Sequence, residues 1–139
     1  MNNFDITEIS FDGWHVDEVG ESITLFFMAP KSYLDYQIPY AGEYRDSAVS
    51  AEISLEIPID AKDGRFRDLP LDELEYFINN TASPEIPVNI DAVLVMISPT
   101  IKTDDGLADV AWCEIGLPAD DIKQLIELAN EELGCLTCI

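Results

Sequence analysis

Residues 47–59 have the sequence SAVSAEISLEIPI, in which apolar and polar side chains alternate. A period of two places successive side chains on opposite faces of a β-strand, so this stretch predicts a strand with one buried and one solvated face. The solvated face would carry Glu52 and Glu56. Pro58 cannot donate a hydrogen bond to a neighbour, which predicts that the strand ends there or lies at a sheet edge. The side chains expected on the buried face are Val49, Ala51, Ile53, Leu55, Ile57 and Ile59.

Asp-Gly pairs predict where other strands turn, because both central residues of a type I′ hairpin turn need a positive φ. Asp12-Gly13 would join strands at 4–11 and 14–19, and a strand at 22–28 would complete an antiparallel meander. Asp105-Gly106 would join strands at 88–97 and 107–115 through a longer loop. Residues 92–97 are apolar without alternation, which predicts a central strand covered on both faces.

Two helices are predicted by apolar residues at helical spacing. The first spans 118–133, with Asp120 and Asp121 in its first turn, where the helix dipole favours negative charge, and Gly134 as its stop. The second, shorter helix spans 70–78. Residues 30–46 are predicted to form a loop rich in tyrosine, equally suited to binding a partner or to folding over the sheet edge. The inward residues of the first helix are Ile122, Leu125, Ile126, Ala129 and Leu133.

Strands interrupted by helices without regular alternation predict an α+β fold. We expect residues 1–139 to form a single domain. It would contain one antiparallel sheet of about six strands, with the degree of curvature left open, and one or two helices packed on one face.

The charge of the chain is the main clue to its function. The chain has 28 acidic and seven basic side chains, giving a formal net charge of −21. Self-repulsion of this size opposes folding, so it calls for a reason outside the core. Because 47% of the residues are hydrophobic, the acids belong to a chain that can fold and not to a disordered acidic tail.

The acids are dense in stretches that contain no Lys or Arg. Residues 68–101 and 103–122 each carry six acids and no base. We therefore predict that these stretches contribute to binding a protein with a basic surface. Direct binding to nucleic acid is disfavoured, since phosphate contacts need basic side chains. The predicted contributors are Asp72, Glu73, Glu75, Asp104, Asp105, Asp109, Asp120 and Asp121.

Motifs for catalysis and for cofactors are missing from the sequence. It contains no Gly-x-Ser-x-Gly nucleophile elbow and no glycine-rich phosphate loop. The single histidine, His15, is interpreted as an exposed hairpin residue, with a base oriented by Asp17 as the alternative. We predict neither a catalytic site nor a cofactor.

The acids and the cysteines are the candidate metal ligands of the sequence. Calcium loops of the EF-hand type fail in register at Gly64 and at Gly106, although a loose site at Asp104, Asp105 and Asp109 stays open. Cys135 and Cys138 have C-x-x-C spacing but follow a helix C-terminus, where the dipole disfavours a thiolate. Together with Cys113 and His15 they would match no zinc motif, so no metal is predicted.

No basic leader precedes an apolar run, and the longest near-apolar run, 92–97, is far shorter than the roughly 20 residues that span a bilayer. An anionic surface would also be repelled by anionic headgroups. We therefore expect a cytoplasmic protein that does not bind membranes.

In charge and size the chain resembles the anti-restriction and anti-CRISPR inhibitors of phages and mobile elements, a resemblance of composition that covers no motif. It implies imitation of nucleic acid: a duplex as long as this domain carries about 22 phosphates. We thus predict a non-catalytic domain that inhibits a basic nucleic-acid-binding protein. The alternatives are an accessory domain whose acidity serves solubility, adaptation to high salt, and an enzyme without a recognisable motif.

Overall fold

The alternating stretch forms strand β3, Ala48–Pro58, in the middle of an antiparallel sheet. The computed structural model describes residues 4–16, 22–35, 46–58, 86–134 and 136–138. Over these residues the sheet has the order β1-β2-β3-β5-β6, with a further short strand, β7, pairing with β5. The sheet stays open and is not strongly curled. Its strands are β1 Ser10–Val16, β2 Ser22–Ala29, β3, β5 Leu94–Thr103, β6 Gly106–Asp109 and β7 Cys113–Glu114.

The predicted turn at Asp12-Gly13 is wrong, because β1 continues through it. Phe11 pairs with Phe27 and Gly13 with Phe26, so Asp12 is an extra residue in a β-bulge. Gly13 has a φ of +146°, a conformation that suits glycine in a bulge as well as in a turn. Residues 4–9, predicted as strand, contain a 3₁₀ helix, Ile6–Glu8, capped by the Asp5 side chain.

The predicted hairpin at Asp105-Gly106 is confirmed, but its loop is tight instead of long. Thr103 pairs with Gly106, which leaves Asp104 and Asp105 as the loop. The Thr103 hydroxyl donates to the Gly106 carbonyl at 2.7 Å and accepts from the Asp105 amide at 3.2 Å. Gly106 has a φ of +117°, which accounts for glycine at this position.

Strand β5 has the predicted length of ten residues but begins and ends six residues later than predicted. Residues Ile90–Ala92 form a 3₁₀ helix capped by Asn89, and they separate β5 from the short strand β4, Ile86–Val88. Pro99 is tolerated inside β5 because the chain that pairs with β5 on this side is interrupted there, between β6 and β7. The Pro99 carbonyl accepts a hydrogen bond from the Val110 amide at 3.4 Å, and Val110 lies between β6 and β7. The proline nitrogen, which has no hydrogen to donate, therefore faces the gap between these two strands and breaks no regular ladder.

The predicted C-terminal helix is confirmed as α1, Ala119–Asn130. Asp120 and Asp121 lie in its first turn, and Gly134 follows with a φ of +70°. Beyond it, β8, Leu136–Cys138, pairs with β4 in a parallel ladder that the sequence did not predict. The Asn130 side chain fixes this segment, donating to the Leu136 carbonyl at 2.7 Å and accepting from its amide at 3.1 Å. The predicted helix at 70–78 lies outside the described residues.

One face of the sheet forms the core together with α1. Ile23, Leu25 and Phe27 of β2 are at most 1% exposed, and the helix adds four buried side chains to the same cluster. We call this side the core face. Of the described helices, none is long and apolar enough to cross a membrane. The core-face residues of β3 and α1 are Ala51, Ile53, Leu55, Ile57, Ile122, Leu125, Ile126 and Ala129.

We call the opposite side of the sheet the open face. The exposure of its β3 residues differs from the prediction. Glu52 and Ser54 were expected to be solvated but are only 6% and 7% exposed. Val49 was expected in the core but is 56% exposed, because the register shifts between Ala48 and Ser50 and Ala48 is buried instead. The alternation therefore predicts the two faces of β3 correctly from 51 to 57 but not which polar residues are wet. The open face includes Ser10, Asp12, His15, Thr24, Phe26, Met28, Ser50, Glu52, Ser54, Glu56, Leu94, Met96, Ser98, Thr100, Lys102, Leu107 and Asp109.

Candidate functional site

The open face is built from the polar half of the strand alternation. Met28 of β2 lies opposite Glu52 of β3, which in turn lies opposite Ser98 of β5. One pair further along, Ser50 lies opposite Thr100, and Thr100 lies opposite Asp109 of β6. The pairing of four strands thus brings side chains from distant parts of the sequence onto one surface.

Three carboxyl groups meet on this surface. The bulge in β1 directs Asp12 towards Glu52, and the two side chains form a hydrogen bond. Asp109 approaches from the other side of Glu52, and its carboxylate accepts from the Thr100 hydroxyl at 2.6 Å. The three carboxyl groups, which we call the carboxyl cluster, are Asp12, Glu52 and Asp109.

The surroundings of Glu52 favour its protonated form. Its burial raises the pKa from the ordinary 4.5 to about 9, and the hydrogen bond from Glu52 to Asp12 and the negative charges of Asp12 and Asp109 act in the same direction. In its neutral form the Glu52 carboxyl can donate a hydrogen bond to Asp12. The cluster therefore carries less negative charge than its three acids would suggest.

The carboxyl cluster lines a cavity of about 200 Å³ in the open face. Two of its walls are apolar: Met28 is 44% exposed and Leu107 is 65% exposed. Ser50 and Thr100 add hydroxyl groups, so the cavity combines hydrogen-bond acceptors with apolar surface. The complete lining is Asp12, Met28, Ser50, Glu52, Thr100, Leu107 and Asp109.

An aromatic pair covers the centre of the open face. Trp112, just before β7, reaches Phe26 of β2, and the ring centroids are 6.4 Å apart. Because β3 and β5 lie between these strands, the rings meet above them, which accounts for the burial of Ser54. Ser98, with no exposed surface, is satisfied by accepting from the Ala111 amide at 3.2 Å.

The predicted contributors do not form one surface. Asp109 projects from the open face, whereas Asp120 and Asp121 begin the helix on the core face. Asp104 and Asp105 are exposed at the tip of the β5–β6 turn. The other three, Asp72, Glu73 and Glu75, lie outside the described residues.

Sequence reasoning missed Asp12 and Glu52 as members of a site. The one feature of the sequence that pointed to Glu52 was its position on the polar side of a regularly alternating strand. No local pattern indicates that a bulge in β1 would bring Asp12 beside it, since that contact spans β2.

The residues considered as candidates for catalysis or for metal binding are not brought together in the described part of the structure. His15 is exposed on β1 opposite Thr24, and Asp17 lies outside the described residues. Cys113 is exposed on β7, Cys138 is half-buried on β8, and Cys135 is not among the described residues. Among the side chains that the structure describes, no three His, Cys, Asp or Glu residues are placed to hold a metal ion.

The tyrosine-rich segment contributes at least one structural residue. Tyr33 is buried in a 3₁₀ helix, Lys31–Asp35, and its hydroxyl accepts from the Asp5 amide at 2.9 Å. The same hydroxyl lies 3.1 Å from the Asp5 carbonyl and 3.0 Å from a Glu8 carboxylate oxygen, either of which can accept its proton. Burial raises the pKa of Tyr33 to about 12. Tyr36, Tyr40 and Tyr44 lie outside the described residues.

Comparison of the chain with protein-family models, with curated proteins and with solved structures finds no match.

Proposed function

We propose that this chain is a non-catalytic domain that binds a basic surface on another protein. The observation that supports this most directly is a net charge of −21 on a chain that forms an ordered sheet and helix. Asp104, Asp105 and Asp109 are exposed, as is Asp120 at the helix start. Exposed acids on a chain of this net charge attract basic proteins and speed their encounter.

Imitation of nucleic acid is the specific form of this proposal. The net charge is close to the roughly 22 phosphates of a duplex of the same length. A basic nucleic-acid-binding protein would then be inhibited because the domain competes with its natural ligand. Imitation requires acids arranged along one continuous path.

The second candidate is an accessory domain whose acidity serves solubility and weak partner selection. The positions of the acids favour it, since Asp109 lies on the open face and Asp120 and Asp121 lie with α1 on the core face. In this case a partner would be bound chiefly by side chains other than the predicted contributors.

Competition binding separates the two candidates. Purified DNA-binding proteins with basic surfaces, and basic proteins that do not bind nucleic acid, are passed over the immobilised chain in a salt series with and without a short duplex. Exposed charges more than about 10 Å apart are largely screened at 0.1 M salt, so electrostatic retention should fall steeply as salt rises. Displacement by the duplex supports imitation, and retention without displacement supports the accessory domain.

A charge-matched pair of variants makes the experiment specific. Asp104→Asn/Asp105→Asn/Asp109→Asn removes three predicted contributors, and Glu127→Gln/Glu131→Gln/Glu132→Gln removes three exposed acids at the end of α1 and beyond. We expect the first variant to weaken retention more than the second. Equal weakening would show that only net charge matters, and absence of retention at low salt would reject the proposal.

A further inference from the structure

We propose that the open face docks a basic segment of a partner protein, covering its aliphatic parts with Met28, Leu107 and Trp112 and pairing its arginine or lysine with Asp12 and Asp109. This inference rests on the proposed function and assigns the surface that performs it. The predicted contributors other than Asp109 then serve attraction at a distance instead of contact.

Exposed apolar side chains indicate docking here. Met28, Leu107 and Trp112 are 44%, 65% and 37% exposed, and all three lie on the open face. Methionine and tryptophan are enriched in protein interfaces, and an apolar group with a polar surround is typical of a binding surface. Solubility alone would not place these three side chains together.

The charges of the same surface define the occupant. Asp12 and Asp109 are exposed on either side of Glu52, and Lys102, opposite Leu107, is the cation that the described strands place on this face. An arginine or lysine has an aliphatic stem and a cationic end, which match the apolar walls and the acceptors of the cavity. A second copy of the chain is disfavoured because both copies carry a charge of −21.

The raised pKa of Glu52 provides a readout specific to this surface. Glu52 faces Asp12 from β1 and Asp109 from β6, while its direct neighbours on β2 and β5, Met28 and Ser98, do not titrate. A cation docked nearby favours the ionised form of Glu52 and so lowers its pKa. Binding near neutral pH should release a proton, and affinity should therefore rise with pH up to about 9.

The experiment uses a labelled synthetic peptide of alternating arginine and leucine, titrated into the ¹⁵N-labelled chain. Arginine stays charged throughout the pH range, so any pH dependence comes from the protein. Affinity is measured by fluorescence anisotropy at low and physiological salt and at pH 6 to 9. The variants are Met28→Ser/Leu107→Ser, Glu52→Gln, and the charge control Glu127→Gln/Glu131→Gln. Circular dichroism checks that each variant folds.

We expect amide shifts concentrated in β1, β2 and β6. Met28→Ser/Leu107→Ser should weaken binding about tenfold by removing apolar contact, and the charge control should change it by less than about twofold. Glu52→Gln should remove the rise of affinity with pH.

Several results would overturn the inference. Shifts centred on α1 or spread evenly over the acids, or an apolar double variant that binds like the wild type, would place the peptide elsewhere while leaving the proposed function intact. A dimer in sedimentation that depends on Met28 and Leu107 would make a second copy the occupant. Failure of the peptide to bind even at low salt would reject this inference, whereas retention of basic proteins on the immobilised chain tests the proposed function separately.

Discussion

The two faces of the sheet use the same strands in different ways. On the core face, Leu25, Phe27 and Leu55 have no exposed surface and pack against α1 and its neighbours. On the open face, Glu52 and Ser54 are nearly as buried, yet their partners are Asp12 and an aromatic pair above the strand. Burial on the first face follows from local hydrophobicity. Burial on the second depends on contacts between strands that are distant in sequence.

Leucine truncation should show the largest difference between the faces. Leu55→Ala removes a fully buried side chain, and we expect the free energy of unfolding to fall by about 2–5 kcal/mol. The matched change Leu107→Ala removes a 65% exposed side chain and should lower it by less than about 0.5 kcal/mol. Urea denaturation measures both, and similar losses would contradict the distinction.

Neutralising Glu52 should produce an effect that depends on pH. Its pKa is about 9 when folded and ordinarily 4.5, so between these values the folded state holds a proton that the unfolded state has lost. The wild type therefore loses stability relative to Glu52→Gln as pH rises through this window, by at most about 1.4 kcal/mol per pH unit.

Thermal and urea denaturation of the wild type and Glu52→Gln from pH 5 to 10 test this. Glutamine can still donate a hydrogen bond to Asp12, so the two proteins should be most alike near pH 5. A constant difference across the window would show that the carboxyl ionises normally.

Removing one hydroxyl should have a smaller effect confined to the open face. Thr100→Val keeps the shape of a residue that is 6% exposed but leaves Asp109 without the 2.6 Å hydrogen bond. We expect a loss of about 1.5 kcal/mol in urea denaturation, the low end of the roughly 1.5–3 kcal/mol of hydrogen bonds to charged groups, because Asp109 is exposed. In Asp109→Asn the bond partner is neutral, so adding Thr100→Val there should be less harmful. Equal losses in both backgrounds would show that the bond contributes little.

The bulged residue of β3 should show the smallest effect. Val49→Ser replaces a side chain that is 56% exposed, and the free energy of unfolding should change by less than about 0.5 kcal/mol. If the sequence alternation had continued into the core at this position, the same change would be several times more harmful. Ile53→Ser, at a position that is 1% exposed, provides the contrast.

These differences show how much of the fold the sequence predicts. The alternation of β3 from Ala51 to Ile57 and the helical spacing from Ile122 to Ala129 are local patterns, and both are confirmed. The Asp12-Gly13 pair is ambiguous in sequence because a hairpin turn and a β-bulge both favour glycine with a positive φ. Only the pairing of β1 with β2 distinguishes the two structures. The parallel ladder of β4 and β8 joins two short segments that no periodicity marks.

Prediction of the site was limited in the same way. Counting acids identified Asp109, but composition cannot distinguish an acid that is exposed from one that is buried and neutral, such as Glu52. It also cannot show that the first turn of α1 lies on the other side of the sheet from Asp109. Both facts depend on three-dimensional pairing.

The order of the strands also has a consequence for folding kinetics. Along the main path of the sheet each strand pairs with the one before it in sequence, except that residues 59–93 separate β3 from β5. Because this is the longest separation in sequence along the path, bringing β3 and β5 together loses more chain entropy than any other pairing of the path. The β1–β2–β3 ribbon can form beforehand from nearby residues, and docking of β5 should then set the rate of folding. Substitutions at the β3–β5 contact should therefore slow folding, whereas those between β1 and β2 should chiefly change the rate of unfolding.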